Sequence, residues 1–224
     1  MTNDIKPTSA PTTAATILAA DDPRTTFAKA VQTAAEAVDT VRPDQLADST
    51  QCGDFDVRTL LGHLVAVLDR VTALGAGDDP MAMSDIATGV ADDSWHSAWL
   101  SGARHAQAAW SDASLLDKTM TLPWATLPGA GMLAMYTSEI TTHTWDLAQA
   151  TGQSPTWDET VLEVSLASIR QSLPSAERQP FWEAFRSQMP EGMEDFEPPF
   201  GDAISVPDDA PLIDRLVAWT GRRP

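Results

Sequence analysis

Residues 137–153 read TSEITTHTWDLAQATGQ, and this stretch decides the fold because its polar and apolar residues recur at helical spacing. Glu139 and His143 stand four residues apart and Asp146 follows three residues later, so all three side chains project from one face of a helix. Apolar side chains flank that face: Tyr136, Ile140 and Leu147. A carboxylate that faces inward needs a partner or a cation. A glutamate and a histidine one turn apart can both reach one metal ion, so the pattern predicts a metal site in a helical bundle.

A second stretch, CGDFDVRTLLGHLVAVLDR at residues 52–70, predicts a helix that begins after Asp56, a residue type that caps helix N-termini. Its apolar residues form one buried stripe: Leu60, Leu61, Leu64, Val67, Leu68 and Val71. His63 shares the face of this stripe. By spacing alone it is either a core imidazole hydrogen-bonded to a neighbour or a metal ligand.

The remaining periodic segments predict an all-α fold with four core helices in a bundle, an added fifth helix and an irregular C-terminal extension. Residues 118–128 carry two prolines, and polar and apolar residues alternate briefly there. This pattern indicates a short extended excursion or an edge hairpin. Glycine, proline and aspartate residues mark most of the predicted helix ends. The predicted helices run from Thr25 to before Pro43, from after Asp56 to Gly75 or Gly77, from Asp93 to Trp110, from after Gly131 to about Gly152, from Asp158 to Ser172, and from Pro211 to Trp219.

The chain divides into three parts by composition. Residues 1–22 are rich in Ala, Thr and Pro and are predicted to be a disordered tail. Residues 23–172 form the metal-binding bundle. Residues 173–224 form an extension that packs on it.

Composition excludes several classes of partner. The formal net charge is −18, with 14 Lys and Arg against 32 Asp and Glu, so the surface repels nucleic acid and anionic lipid. A single cysteine allows no intramolecular disulfide. The N-terminus has no apolar run typical of a signal peptide, and no segment approaches the roughly 20 apolar residues of a membrane helix. These features predict a cytoplasmic protein with no nucleic-acid or membrane partner.

Other reactive or aromatic residues have less specific patterns. His96 and His105 lie among polar and small residues of the third helix and are expected at the surface or flank. Cys52 precedes the second helix, about two turns from the histidine of that helix, which favours a buried structural thiol over a nucleophile or fourth ligand. Trp145 and Trp124 either line a pocket or, as the composition favours, pack in the core.

The pairing of residues 52–70 with EITTHTWDLAQATGQ at 139–153 resembles the metal-binding domain of mycothiol-dependent maleylpyruvate isomerase, in the DinB-like superfamily. The resemblance extends from about Thr25 to the C-terminus and is stronger for the short actinobacterial branch, whose closing stretch is similar to FGDAISVPDDAPLIDRLVAWTGRRP. It implies a four-helix bundle with a divalent metal, usually zinc. The ligands that it implies are His63, Glu139 and His143.

Two departures from the family pattern limit what the resemblance implies. The isomerase has a second, C-terminal domain that contributes to its active site, whereas only about fifty residues follow the fifth helix here. Isomerisation of maleylpyruvate itself is therefore not expected. Many relatives also have Pro and Trp after the cysteine, where this chain has Gly53 and Phe55, a change that we expect to affect packing alone.

Three protein ligands would leave one coordination position open, as in catalytic zinc sites. The resemblance implies that a low-molecular-weight thiol such as mycothiol binds there and is held as thiolate. The expected function is S-transfer to, or isomerisation of, a small electrophilic substrate. Asp146 either stands behind a ligating imidazole or forms a salt bridge or cap within the bundle. Zinc, nickel and iron all accept such ligands.

A non-catalytic function is the alternative on the same fold: a metal-binding sensor or an anti-sigma-like regulator. The absence of cysteine from the expected ligand set counts against thiol–disulfide sensing. The expected partners are thus a small thiol and a small electrophile. The pattern is compatible with a monomer or a homodimer.

Overall fold

The structure, a computed structural model, describes residues 22–187 and 200–224. Within these residues the chain forms seven α-helices and one antiparallel hairpin, which confirms the predicted all-α bundle. The elements are α1 Pro23–Asp39, α2 Val57–Ala76, α3 Trp95–Ala109, β1 Thr119–Leu122, β2 Ala125–Pro128, α4 Gly129–Thr151, α5 Glu159–Ser172, α6 Arg178–Arg186 and α7 Leu212–Trp219.

Helices α1 to α4 form the bundle, and α5 packs against α4. The ring of Trp110 lies against both Gly75 near the end of α2 and Gly129 at the start of α4. Because His63 meets His143 at the other end, α2 and α4 run antiparallel. Helices α2 and α3 run parallel, because Leu68 lies against Gly102 and Gly75 lies against Trp110, so the long connection between them returns along the bundle.

Local sequence explains where these helices begin and end. Asp56 caps α2 by accepting a hydrogen bond from the backbone N–H of Thr59 at 2.8 Å. Gly77 and Gly152 end α2 and α4 in the left-handed conformation, with φ of 83° and 71°. Gly131, expected just before the fourth helix, lies inside α4.

Helix α4 is buried on nearly all sides because α1, α2 and α5 all pack on it. Its threonines remain compatible with burial because their hydroxyls donate to carbonyls four residues earlier, as Thr137, Thr141 and Thr144 do at 2.7 Å. His143 and Asp146 contact each other within α4. Glu139 and Asp146 also have partners on other elements, His63 and Arg222.

A second hydrophobic cluster joins α5, α6 and α7. Helix α6 is missing from the sequence prediction, which treated everything between Leu173 and Pro211 as irregular. The segment FWEAF places aromatic rings on one side of α6, and Trp182 is buried in the cluster. Pro180 in the first turn of α6 obscures this short pattern, because a proline there is compatible with a helix although in a sequence it suggests a break.

Among the residues that the structure describes, one helix, α2, is long and apolar enough to cross a membrane by length and composition, which corrects the expectation that no segment approaches that limit. Its apolar window is 67% buried inside the bundle. Burial of this kind is the property of a core helix, whose apolar surface is already covered by protein.

The predicted disordered tail at residues 1–22 lies outside the described residues except for Asp22. The Asp22 side chain accepts from the backbone N–H of Arg24 at 2.9 Å and caps α1. The division of the rest into residues 23–172 and 173–224 stays a prediction.

We expect Leu68→Ala to lower the free energy of unfolding by about 2–5 kcal/mol, because Leu68 is fully buried and packs against Gly102 of α3. Urea denaturation followed by circular dichroism measures the change. Leu100→Ala is the matched control: its side chain is 38% exposed, and we expect a change within about 0.5 kcal/mol. Equal losses in both variants would contradict the assigned core.

Candidate metal centre

The antiparallel packing of α2 and α4 brings His63, Glu139 and His143 together. Each offers one ligand atom, and these three atoms all lie within 4.8 Å of one another. His63 Nε2 is 3.4 Å from Glu139 Oε1. The two imidazole rings stand nearly perpendicular, with centroids 4.9 Å apart. The three residues singled out in the sequence thus form one cluster, although their role as metal ligands stays a prediction.

The ring of His63 is oriented by the segment that connects α2 to α3. Its Nδ1 lies 3.1 Å from the backbone carbonyl oxygen of Asp85. This segment approaches α2 closely, since a Cβ on Gly62 would lie 2.7 Å from the carbonyl oxygen of Ala87. The backbone N–H of Ala87 donates to the carbonyl of Gly62 at 2.9 Å. A glycine is therefore required at position 62, next to His63. The sequence prediction did not use this signal.

The ring of His143 is oriented by Asp146. His143 Nδ1 lies 3.0 Å from Asp146 Oδ2, which leaves Nε2 for the cluster. Asp146 is fully buried, and Arg222 donates to both of its oxygens, from Nε at 2.6 Å and from Nη2 at 2.8 Å. The sequence left open whether Asp146 contacts an imidazole or forms a salt bridge. In the structure it does both.

Burial and charge pairing set the protonation of these groups. Burial lowers the pKa of His143 below its ordinary 6.5, which favours the neutral imidazole. Burial raises the pKa of Glu139, but the contact with His63 and the charges of both histidines outweigh it and hold that pKa below its usual value. Hydrogen bonds from His143 and Arg222 likewise outweigh burial and lower the pKa of Asp146. The neutral imidazole of His143 and the ionised carboxylate of Glu139 are forms that bind a cation.

Cys52 lies beside this cluster, which corrects the expectation that it sits about two turns away. Its Sγ and ligand atoms of His143 and Asp146 also lie within 4.8 Å of one another, so a second donor set shares one histidine. Burial raises the pKa of the Cys52 thiol to about 11. Asp146 is already engaged by Arg222. The set with Glu139 is therefore the better candidate.

The other residues considered in the sequence lie elsewhere. His96 Nδ1 is 2.8 Å from Asp39 Oδ1, and His105 is exposed. Trp145 is buried with 4% exposure, and Trp124 is half-buried against the bundle core.

Two buried donors beside the cluster were missed in the sequence. Arg70 lies two turns after His63 on α2, and Tyr136 lies one turn before Glu139 on α4, so antiparallel packing brings them to similar levels. Among the described residues, Arg70 Nε and the Tyr136 hydroxyl have no hydrogen-bond partner. Arg70 Nη2 contacts the Asp85 carboxylate in an ion pair without hydrogen-bond geometry. An arginine on the apolar stripe of the second helix is the signal that could have identified this feature.

The fold and the cluster define a class first: a helical-bundle domain with a His/Glu/His set between two core helices. The family model described as the mycothiol maleylpyruvate isomerase N-terminal domain matches residues 27–148, more than half of the chain. The chain belongs to this family, which confirms the resemblance seen in its motifs. Membership implies a mycothiol-related, metal-binding, DinB-like domain.

Two similar proteins come from one species. The uncharacterized proteins MT0763 and Rv0738 of Mycobacterium tuberculosis, from strains CDC 1551 / Oshkosh and ATCC 25618 / H37Rv, are each 27% identical over 201 residues. The alignment covers 90% of this chain and 98% of each relative. No solved structure matches the chain.

We expect the metal-free protein to lose stability as pH falls from about 7 to 5. The unfolded His143 takes up a proton near 6.5, whereas the folded side chain resists protonation, so the loss reaches at most about 1.4 kcal/mol per pH unit. Urea titrations in chelator at several pH values measure it. His143→Gln should flatten the dependence, and His105→Gln, at an exposed site, should leave it unchanged. Identical slopes in all three proteins would contradict the lowered pKa.

Proposed function

We propose that His63, Glu139 and His143 bind a divalent metal ion, zinc in the first instance, and that the chain is a metal-dependent enzyme. It would use a low-molecular-weight thiol such as mycothiol in S-transfer to, or isomerisation of, a small electrophile. The observation that carries this proposal is the arrangement of the three ligand atoms. Nickel and iron accept the same ligands and remain candidates.

The spacing of the donors fits such an ion. Two ligand atoms that each lie about 2.0–2.1 Å from a tetrahedral zinc ion are roughly 3.4 Å apart. The distance between His63 Nε2 and Glu139 Oε1 is 3.4 Å. Both histidines have Nδ1 in contact with an oxygen, of Asp85 or Asp146, which leaves each Nε2 available. This supports the proposed set over an accidental cluster of polar groups.

A bound metal of this kind lowers the pKa of a coordinated thiol and favours the nucleophilic thiolate. The protein residues determine where such a thiol can approach. The side chains of His63 and Glu139 are 15% and 26% exposed, whereas His143 is buried. Approach is therefore expected from the side of His63 and Glu139.

Arg70 and Tyr136 are suited to orient the electrophile. Burial, and after it the charge of Glu139, raise the pKa of the Tyr136 phenol, so the hydroxyl remains a donor. Arg70 carries a permanent positive charge. Because Arg70 Nε and the Tyr136 hydroxyl are buried and lack hydrogen-bond partners among the described residues, an oxygen of the electrophile would satisfy them and would be stabilised as negative charge develops.

The compartment and partners follow from the same chemistry. We expect the protein to act in the cytoplasm, where low-molecular-weight thiols are kept reduced. The net charge of −18 disfavours nucleic acid and anionic membranes as partners. The non-catalytic alternative, a sensor or anti-sigma-like regulator, has the same metal site and differs in whether a thiol is consumed.

We expect His63→Ala, Glu139→Ala and His143→Ala each to weaken zinc binding by about tenfold or more, because each removes one of three protein ligands. Metal content after dialysis and competition with a chromophoric chelator measure this. The matched controls are His96→Ala and His105→Ala, on α3, which should bind zinc like the wild type. Equal metal content in all five variants would refute the ligand assignment.

We expect zinc-loaded protein to accelerate conjugation or isomerisation of an electrophile in the presence of mycothiol. Mass spectrometry of reactions with a panel of electrophiles detects conjugates, and chromatography detects isomers. Chelator-treated protein and His143→Ala should show only the uncatalysed rate. Bacillithiol and glutathione serve as alternative thiols. If none of the three thiols supports turnover while zinc still binds, the non-catalytic alternative is favoured.

A further inference from the structure

We propose that Arg222, in the C-terminal segment, is a positioning residue of the metal centre that acts through Asp146 on His143. The proposal rests on the metal-ligand assignment above. It extends the site beyond the family-matched region, which ends at residue 148, and assigns a function to the last residues of the chain.

The contacts around Asp146 leave its carboxylate little freedom. Oδ1 accepts from Arg222 Nε, while Oδ2 accepts from Arg222 Nη2 and contacts His143 Nδ1. Rotation of the carboxylate would break two charge-assisted hydrogen bonds at once. Because the same carboxylate meets the imidazole, the orientation of the His143 ring depends on the position of the guanidinium.

The guanidinium is itself enclosed. Arg222 is 4% exposed, and its CZ atom lies 5.6 Å from the centroid of the Phe200 ring. Two parallel donors on a rigid plane match a carboxylate in a way that the single ammonium of lysine cannot. The identity of the residue as arginine therefore matters, as well as its charge.

The backbone around Arg222 is held on both sides. On one side, its N–H donates to the carbonyl of Val217 at the end of α7, at 3.0 Å. On the other, Arg223 N–H donates to Gln51 Oε1 and Gln51 Nε2 donates to the Arg223 carbonyl, both at 3.1 Å. These bonds join the chain end to the loop before α2. The bundle supplies the three ligands, and the C-terminal segment supplies the residue that orients one of them.

The neighbouring arginine provides a matched control. Arg223 is exposed, and the hydrogen bonds named above use its backbone, so Arg223→Met should leave the site intact. Arg222→Met removes the guanidinium with little change in volume. We expect about 10- to 100-fold weaker zinc affinity for Arg222→Met, an intermediate loss for Arg222→Lys and wild-type affinity for Arg223→Met, by chelator competition.

Cobalt(II) in place of zinc provides a readout that a merely structural role would not change. At saturating cobalt, we expect Arg222→Met to shift the visible absorption bands, because His143 coordinates at a different angle, and Arg223→Met to keep the wild-type spectrum. Wild-type affinity together with a wild-type spectrum in folded Arg222→Met would overturn the proposal.

Arg222→Met also leaves a buried carboxylate without its cation and can prevent folding. Asp146→Asn/Arg222→Met removes both charges, and the amide oxygen still accepts from His143 Nδ1. Circular dichroism of the metal-free proteins identifies the folded variants. If the double variant folds and binds zinc like the wild type, the proposal fails. His143→Ala in parallel separates the outcomes: if it also binds zinc like the wild type, the ligand assignment fails instead.

Discussion

The burial of helix α4 on nearly all sides is the constraint on which the rest of the structure depends. Each polar group on this helix must be satisfied inside the protein, because burying it without a partner is costly. The threonines solve this locally, by donating to carbonyls one turn earlier. His143 and Asp146 also contact each other within the helix, but Glu139 and Asp146 need partners from other parts of the chain, His63 on α2 and Arg222 in the C-terminal segment.

Those partners give the two histidines similar surroundings. Each Nδ1 is in contact with an oxygen of an aspartate residue, the backbone carbonyl of Asp85 for His63 and the carboxylate of Asp146 for His143. A buried arginine contacts the carboxylate of each of these aspartates, Arg70 in the first case and Arg222 in the second. Contacts of this kind fix the ring and select the nitrogen that can reach a metal. The centre therefore depends on residues well outside the three proposed ligands.

Family membership and geometry contribute different parts of the functional argument. Membership establishes a mycothiol-related, metal-binding domain. The geometry adds a donor set with suitable spacing, two of whose members reach solvent, and unsatisfied donors on Arg70 and Tyr136 nearby. A regulator would need no such donors for a substrate, whereas an enzyme that holds an electrophile would use them. This comparison favours catalysis.

Periodicity along single helices was enough to predict the bundle and the shared face of Glu139, His143 and Asp146, because these features depend on residues three or four positions apart. Helix α6 escaped the prediction because one short turn-rich segment carries little periodic signal. The positions of Cys52, Asp85, Arg70 and Arg222 were decided only by tertiary structure. Asp146 and Arg222 are separated by 76 residues, and no local pattern specifies which buried charge will pair with which. That choice is made when the helices and the C-terminal segment pack together and each buried polar group takes the partner within reach.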